Sequence, residues 1–279
     1  MNRRAKGALL VALGAICWSF GGVLGKWSAW NSITVNGFRS LFGAIVFMAL
    51  SKKTRVPMTK GNVLGAIGVT GTSLLYMAAN KLTSAANAIV LQYAMPVFLV
   101  LFCWLIYKQK PSRANVITVL CVLAGVVLCS WNGLTGGGNP LGDFLGILAA
   151  VTFTLVFFCS RMPGANAVEY SLLGCLFGIP FCLSAIWDPA FSFAPAQLLA
   201  VFAMGVSLAL GYYLISVGMQ KTEPITAAIL ANLEPVLNPV WVYLFLGENP
   251  GTLSILGAAI VLIAATVYSI MGVKNIGNA

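Results

Sequence analysis

Residues 87–112 read NAIVLQYAMPVFLVLFCWLIYKQKPS, and residues 226–251 read TAAILANLEPVLNPVWVYLFLGENPG. Pro96 and Pro235 hold the same place in the two stretches, and Pro111 and Pro250 each follow fifteen residues later. Pro235 lies 139 residues after Pro96, half of the 279-residue chain rounded down. Two apolar stretches punctuated alike at that distance imply an internal duplication. The copies differ at one telling place: the second carries an acid, Glu234, where the first has Met95.

Working outward, the whole chain is as apolar as these stretches. Hydrophobic residues make up 59% and charged residues 8%, whereas soluble domains carry about 25% charge. The mean hydropathy is +0.93. This is the composition of an all-α integral membrane protein. Histidine is absent, which removes imidazole metal sites and histidine proton relays. The seven cysteines all fall in apolar runs without a C-x-x-C, so they read as small buried hydrophobes and no metal or cofactor is expected. The first fifteen residues resemble a signal peptide. The apolar run continues to about Gly25 without a cleavage motif, so it reads as a first membrane helix.

A spanning helix needs about 20 apolar residues. Ten segments qualify, at approximately 7–25, 33–50, 62–79, 83–106, 114–131, 142–160, 167–185, 197–219, 224–246 and 252–272. Pro180, Pro189 and Pro195 blur the ends of the seventh and eighth. Between the spans, thirteen lysines and arginines fall on one side and two, Lys26 and Lys81, on the other, with Arg39 inside a span. Basic loops face the cytoplasm, so both termini are expected there, in a multi-pass protein of the cytoplasmic membrane. Loop topology thus explains the net charge of +10 without a nucleic-acid partner.

The repeat extends beyond the prolines. Gly7 and Lys26 bracket the first span, and Gly142 and Arg161 bracket the sixth at a constant offset of 135, which sets Trp18 against Phe153. Each half then holds five spans: residues 1–135, a Gly-Pro linker at 136–141 that includes Gly136–Gly138, and residues 142–279. An odd number of spans inverts the second copy. Inverted repeats can exchange conformations, which opens one face of the membrane and then the other around a site at the midplane.

These segments resemble the drug/metabolite transporter superfamily, EamA type. Residues 224–251 match its pattern of a small-residue helix, a central proline and a Gly-Glu exit at Gly247 and Glu248. The first copy departs from it with Lys108 and Gln109. The resemblance covers nearly the whole chain. It implies ten helices in two inverted five-helix repeats and a transport function whose substrate can be an amino acid, sugar, cation or other metabolite.

Glu234 is the leading site residue. A charge at mid-span costs about 2.5–3.5 kcal/mol on insertion scales, so it should face a cavity or a partner and can gain and lose a coupling proton. Asn238 and Trp241 share its helical face. Arg39 either snorkels to the interface or serves as an anion contact and partner of Glu234. Gln92, Tyr93 and Asn232 either line a cavity or tie helices together at about 0.6 kcal/mol each. Trp18, Tyr76 and Tyr213 are candidate pocket rings. Trp27, Trp30, Trp104 and Trp131 read as interfacial belt residues. Pro96 and Pro235 are expected to kink their helices and act as hinges. Gly21/Gly25, Gly61/Gly65 and Gly174/Gly178 have the G-x-x-x-G spacing of close helix contacts.

No P-loop motif occurs, so direct ATP drive is not expected, and no potassium-filter motif is present. An enzyme needs a constellation of acid, base or nucleophile, which one deep carboxylate does not supply. Two readings are therefore expected: a secondary transporter of a small, amino-acid-like metabolite, or a transporter of organic cations with Glu234 as counter-charge and an aromatic cage.

Overall fold

A computed structural model of the chain describes residues 3–108, 110–111, 113–129, 131, 139–159, 162–219, 221 and 230–276. Gln109, Gly136–Gly138 of the expected linker, Arg161 and residues 224–229 of the expected ninth span lie outside the described residues.

The described residues form ten helical rods and no strand. We number them α1 (Arg3–Trp27), α2 (Ser32–Ser51), α3 (Lys60–Leu82), α4 (segments Ala85–Gln92 and Met95–Tyr107), α5 (Arg113–Cys129), α6 (Pro140–Cys159), α7 (Ala167–Ile186), α8 (Pro195–Met219), α9 (Leu233–Leu246) and α10 (Thr252–Ile276). By length and composition α1–α4 and α6–α8 can each cross a membrane, while α5, α9 and α10 contain shorter apolar helices among the described residues.

Local chemistry sets the ends. Asn31, Thr59, Ser84 and Asn166 are N-caps, each accepting a hydrogen bond from a backbone N–H of the following first turn. Pro140 and Pro195 begin their helices, where a missing N–H costs nothing. Pro180 converts the end of α7 to 3₁₀ turns over Ile179–Ile186. Lys108 and Gly247, 139 residues apart, both end their helices in the left-handed conformation, at φ 55° and 67°. The repeat therefore preserves the geometry even where lysine has replaced glycine.

Pro96 and Pro235 are sites of breakage rather than kinking. Helix α4 is interrupted at Tyr93–Ala94, and the helical residues 230–231 are separated from α9 at Asn232. Tyr93 and Asn232 are again 139 residues apart. Each proline sits in the first turn after its break, where it has no intrahelical bond to forfeit.

Packing follows a pseudo-two-fold. Helix α3 lies on α6 as α8 lies on α1; α3 meets α7 as α8 meets α2; α4 meets α6 as α9 meets α1. Helices α5 and α10 pair with each other. Glycines seat matching contacts. A Cβ on Gly142 would stand 2.9 Å from Leu82 Cβ, and one on Gly218 would stand 2.9 Å from Gly7 O. Gly65 and Gly174 bring α3 and α7 together in the same way, against Tyr170 and Val69.

Two expectations need correction. Trp30 is not interfacial: it is wholly buried against Phe38 and Phe191. Cys121 is exposed, and Cys17, Cys103 and Cys182 are only partly covered, because the outside of a helix facing lipid is as apolar as its inside.

Candidate functional site

One cavity of about 50 Å³ lies where α1, α2, α3, α4, α6, α8 and α9 converge. Its frame comes from equivalent positions of the two halves. Trp18 faces it with Phe153, Thr72 with Leu208, and Tyr76 with Tyr212. These pairs are 135, 136 and 136 residues apart. The polar lining is unequal: Arg39, Ser73, Gln92 and Glu234 have no such partners in it.

Arg39 is buried, 4% exposed, so it does not snorkel. Its Nε donates to Ser73 Oγ at 3.1 Å and its Nη2 to Ser73 O at 3.4 Å, with a further contact from Nη2 to Ser73 Oγ. Ser73 Oγ in turn donates to Asn36 Oδ1 at 2.6 Å. A guanidinium has five donors, and among the described residues Nη1 donates to no protein acceptor.

Glu234 is 7% exposed and lies in the first turn of α9. A helix N-terminus carries about half a positive charge, so the break at Asn232 turns a favourable dipole toward this carboxylate. Tyr93 Oη donates to Glu234 Oε2 at 2.8 Å and also approaches Ala231 O at 3.4 Å. Ion pairs join Lys26 to Glu248 and Lys53 to Glu169; Arg39 and Glu234 share a cavity without pairing.

The remaining candidates separate by helix face. Gln92, Trp18 and Tyr76 line the cavity. Trp18 packs edge-on to Tyr212 at 4.6 Å and its Nε1 donates to Leu208 O at 3.3 Å. Tyr93 packs on Phe153 at 5.9 Å. Tyr213 is turned away and meets Phe47 at 6.3 Å; its neighbour Tyr212 is the cavity residue. Its 136-residue offset from Tyr76 is a signal in the sequence by which Tyr212 could be found. Asn238 supports the wall from behind, donating Nδ2 to Tyr76 Oη at 2.9 Å. Trp241 stacks on Phe20 at 5.0 Å and donates to Ser19 Oγ at 2.9 Å. Asn232 donates to Thr266 on α10. The last two tie helices and do not line the cavity.

Asn238 fits because Gly22 lies against it: a Cβ there would stand 2.3 Å from Asn238 Oδ1, whereas one on Gly21 would find nothing nearer than Tyr76 at 3.9 Å. Gly22→Ala should therefore break the Tyr76–Asn238 bond and destabilise the protein by about 1–3 kcal/mol. Gly21→Ala should change stability far less. Unfolding of the two purified variants in detergent checks this, and equal midpoints would refute it.

An all-helical bundle with a polar cavity deep between two repeated halves has the architecture of a membrane transporter. Comparison with known proteins agrees. The model of the EamA-like transporter family matches residues 5–131 and again 140–270. The chain belongs to the EamA-like transporter family, within the drug/metabolite transporter superfamily. It is 25% identical to an uncharacterized transporter of Clostridium kluyveri, over 94% of this chain and 92% of that one. It is 25% identical to the pseudopaline exporter CntI of Pseudomonas aeruginosa, over 83% and 84%. A crystal structure at 20% identity shares the fold, with a TM-score of 0.64 over 96% of this chain and 98% of the other. The chain is thus a multi-pass membrane transporter.

Proposed function

We propose that the protein is a secondary active transporter that moves a small, polar, amino-acid-like metabolite across the cytoplasmic membrane by alternating access. One observation carries this reading: Arg39 and Glu234 are buried in the same cavity, unpaired with each other, and each is held by neutral groups. A buried charge without a counter-ion is expensive. A zwitterion would satisfy both, its carboxylate at Arg39 and its ammonium at Glu234. Gln92, Tyr93, Tyr76 and Trp18 would form the walls. Asn238, Trp241 and Asn232 would set the position of α9, and the breaks before Pro96 and Pro235 would be the hinges.

Ligand pockets usually measure about 300–1,000 Å³, so a cavity of about 50 Å³ is contracted and has to widen to admit a solute. Residues 1–135 and 142–279 would exchange conformations to do so, joined through 136–141. A proton on Glu234, another ion or a counter-substrate would drive the cycle. The excess of basic loops on one side supports a topology with both termini in the cytoplasm. No enzymatic chemistry is needed.

A second reading has its own support. Trp18, Phe153, Tyr76 and Tyr212 surround the cavity, and such rings can stabilise an organic cation beside Glu234. A thermal-shift screen of the purified protein at several pH values separates the two. Zwitterionic amino acids should raise the unfolding temperature and quaternary ammonium ions should not. Stabilisation by the cations alone selects the second reading, and stabilisation by neither class rejects both.

A further inference from the structure

Lys26, at the end of α1, pairs with Glu248, just past α9, at 2.6 Å. The other carboxylate oxygen of Glu248 accepts from the backbone N–H of Ala85, at the start of α4, at 2.7 Å. Lys26 Nζ also donates to Thr83 O at 3.0 Å. One carboxylate thus joins α1, α4 and α9 at the face opposite the chain termini. The same three helices carry Trp18, Gln92 and Glu234 into the cavity. The pair is partly buried, with side chains 20% and 25% exposed.

The repeat defines what would stand at the face carrying the termini. Lys26 corresponds to Arg161 at the 135 offset, and Glu248 and Ala85 correspond to Gln109 and Pro224 at the 139 offset. Gln109 is uncharged and Pro224 has no N–H, so these residue types cannot form the same tie. By contrast, another tie is two-sided. Lys53 bonds Glu169 at 2.6 Å on the terminal face, and Asp188 accepts from Asn31 N at 2.8 Å on the far face.

We infer that Lys26 and Glu248 form a one-sided latch that holds α1, α4 and α9 together on the far face and biases the transporter toward the conformations closed there. This rests on the alternating-access reading above. The residue types at the equivalent positions, Gln109 and Pro224, do not supply such a pair, so the two closed ends differ in free energy although the helical frame is symmetric.

The test uses the full chain in membrane vesicles of known sidedness, with its seven cysteines replaced and Ser207→Cys as a reporter in the cavity wall. The probe is a membrane-impermeant thiol reagent. Glu248→Gln and Lys26→Gln should each raise labelling from the far face about five-fold, the scale of a partly exposed ion pair, without raising it from the terminal face. Lys53→Gln, which loosens a tie on the terminal face, should not raise far-face labelling. An unchanged far-face rate in the first two variants, an equal rise on both faces, or the same rise in Lys53→Gln would overturn the latch. If one variant fails to insert, the other decides. The readout needs no substrate. Failure of the transport reading would therefore appear separately, as absent solute flux with the labelling asymmetry intact.

Discussion

Glu234→Gln should leave the protein inserted and folded while stopping net solute movement. The carboxylate accepts from Tyr93 Oη, and the amide can still accept that bond. Removing the charge also removes an insertion cost of about 2.5–3.5 kcal/mol, so stability should hold or rise. What disappears is the anionic contact. A hydrogen bond to a charged group contributes about 1.5–3 kcal/mol, so affinity for an ammonium-bearing solute should fall roughly 10–150-fold. Flux into proteoliposomes and the unfolding temperature, measured on the same preparation, give both numbers. Wild-type flux in a correctly folded variant would remove Glu234 from the mechanism. Lost flux together with a large drop in stability would mark it as a structural acid.

The second large effect belongs to Arg39. In Arg39→Gln the side chain keeps a donor for Ser73 but loses its charge and the unengaged Nη1. Binding of solutes with a carboxylate should weaken about 10–150-fold, while quaternary ammonium ions should bind as before. Ser73→Ala should produce a smaller effect of the same sign, since it removes the hydroxyl that orients the guanidinium. Ligand-induced thermal shifts across the two solute classes measure this selectivity directly. If carboxylate solutes stabilise Arg39→Gln as well as wild type, Arg39 is a structural cation held by Ser73 and Asn36.

Much of the architecture is legible in the linear chain, because a bilayer imposes length, hydropathy and loop charge on every crossing. The spacing of Pro96 and Pro235 announces the repeat, and the depth of Glu234 agrees with its place in the cavity lining. What stayed hidden depends on azimuth. One residue along a helix turns a side chain by about 100°, which is why Tyr213 was expected where Tyr212 stands. Trp241 shares the helical face of Glu234, and Asn232 could either line a cavity or tie helices; Ser19 and Thr266 claim them from neighbouring helices. No local pattern carries that information, because it depends on how α9 docks on α10 and α1. The prolines follow helix breaks where kinks were expected. A break costs little when a bend residue already precedes the proline, and Tyr93 and Asn232 supply that bend in both copies.

The matching frame of Trp18 with Phe153 and Tyr76 with Tyr212 has a consequence for biogenesis. A fold that coincides with itself when turned over has no intrinsic top, and its packed interior gives the insertion machinery little by which to choose one. In the proposed topology the choice falls to the lysines and arginines flanking the spans, thirteen against two. Only after that choice do Arg39 and Glu234 acquire a fixed place relative to the membrane potential. A handful of surface charges, remote from the solute, thereby orient the vectorial process.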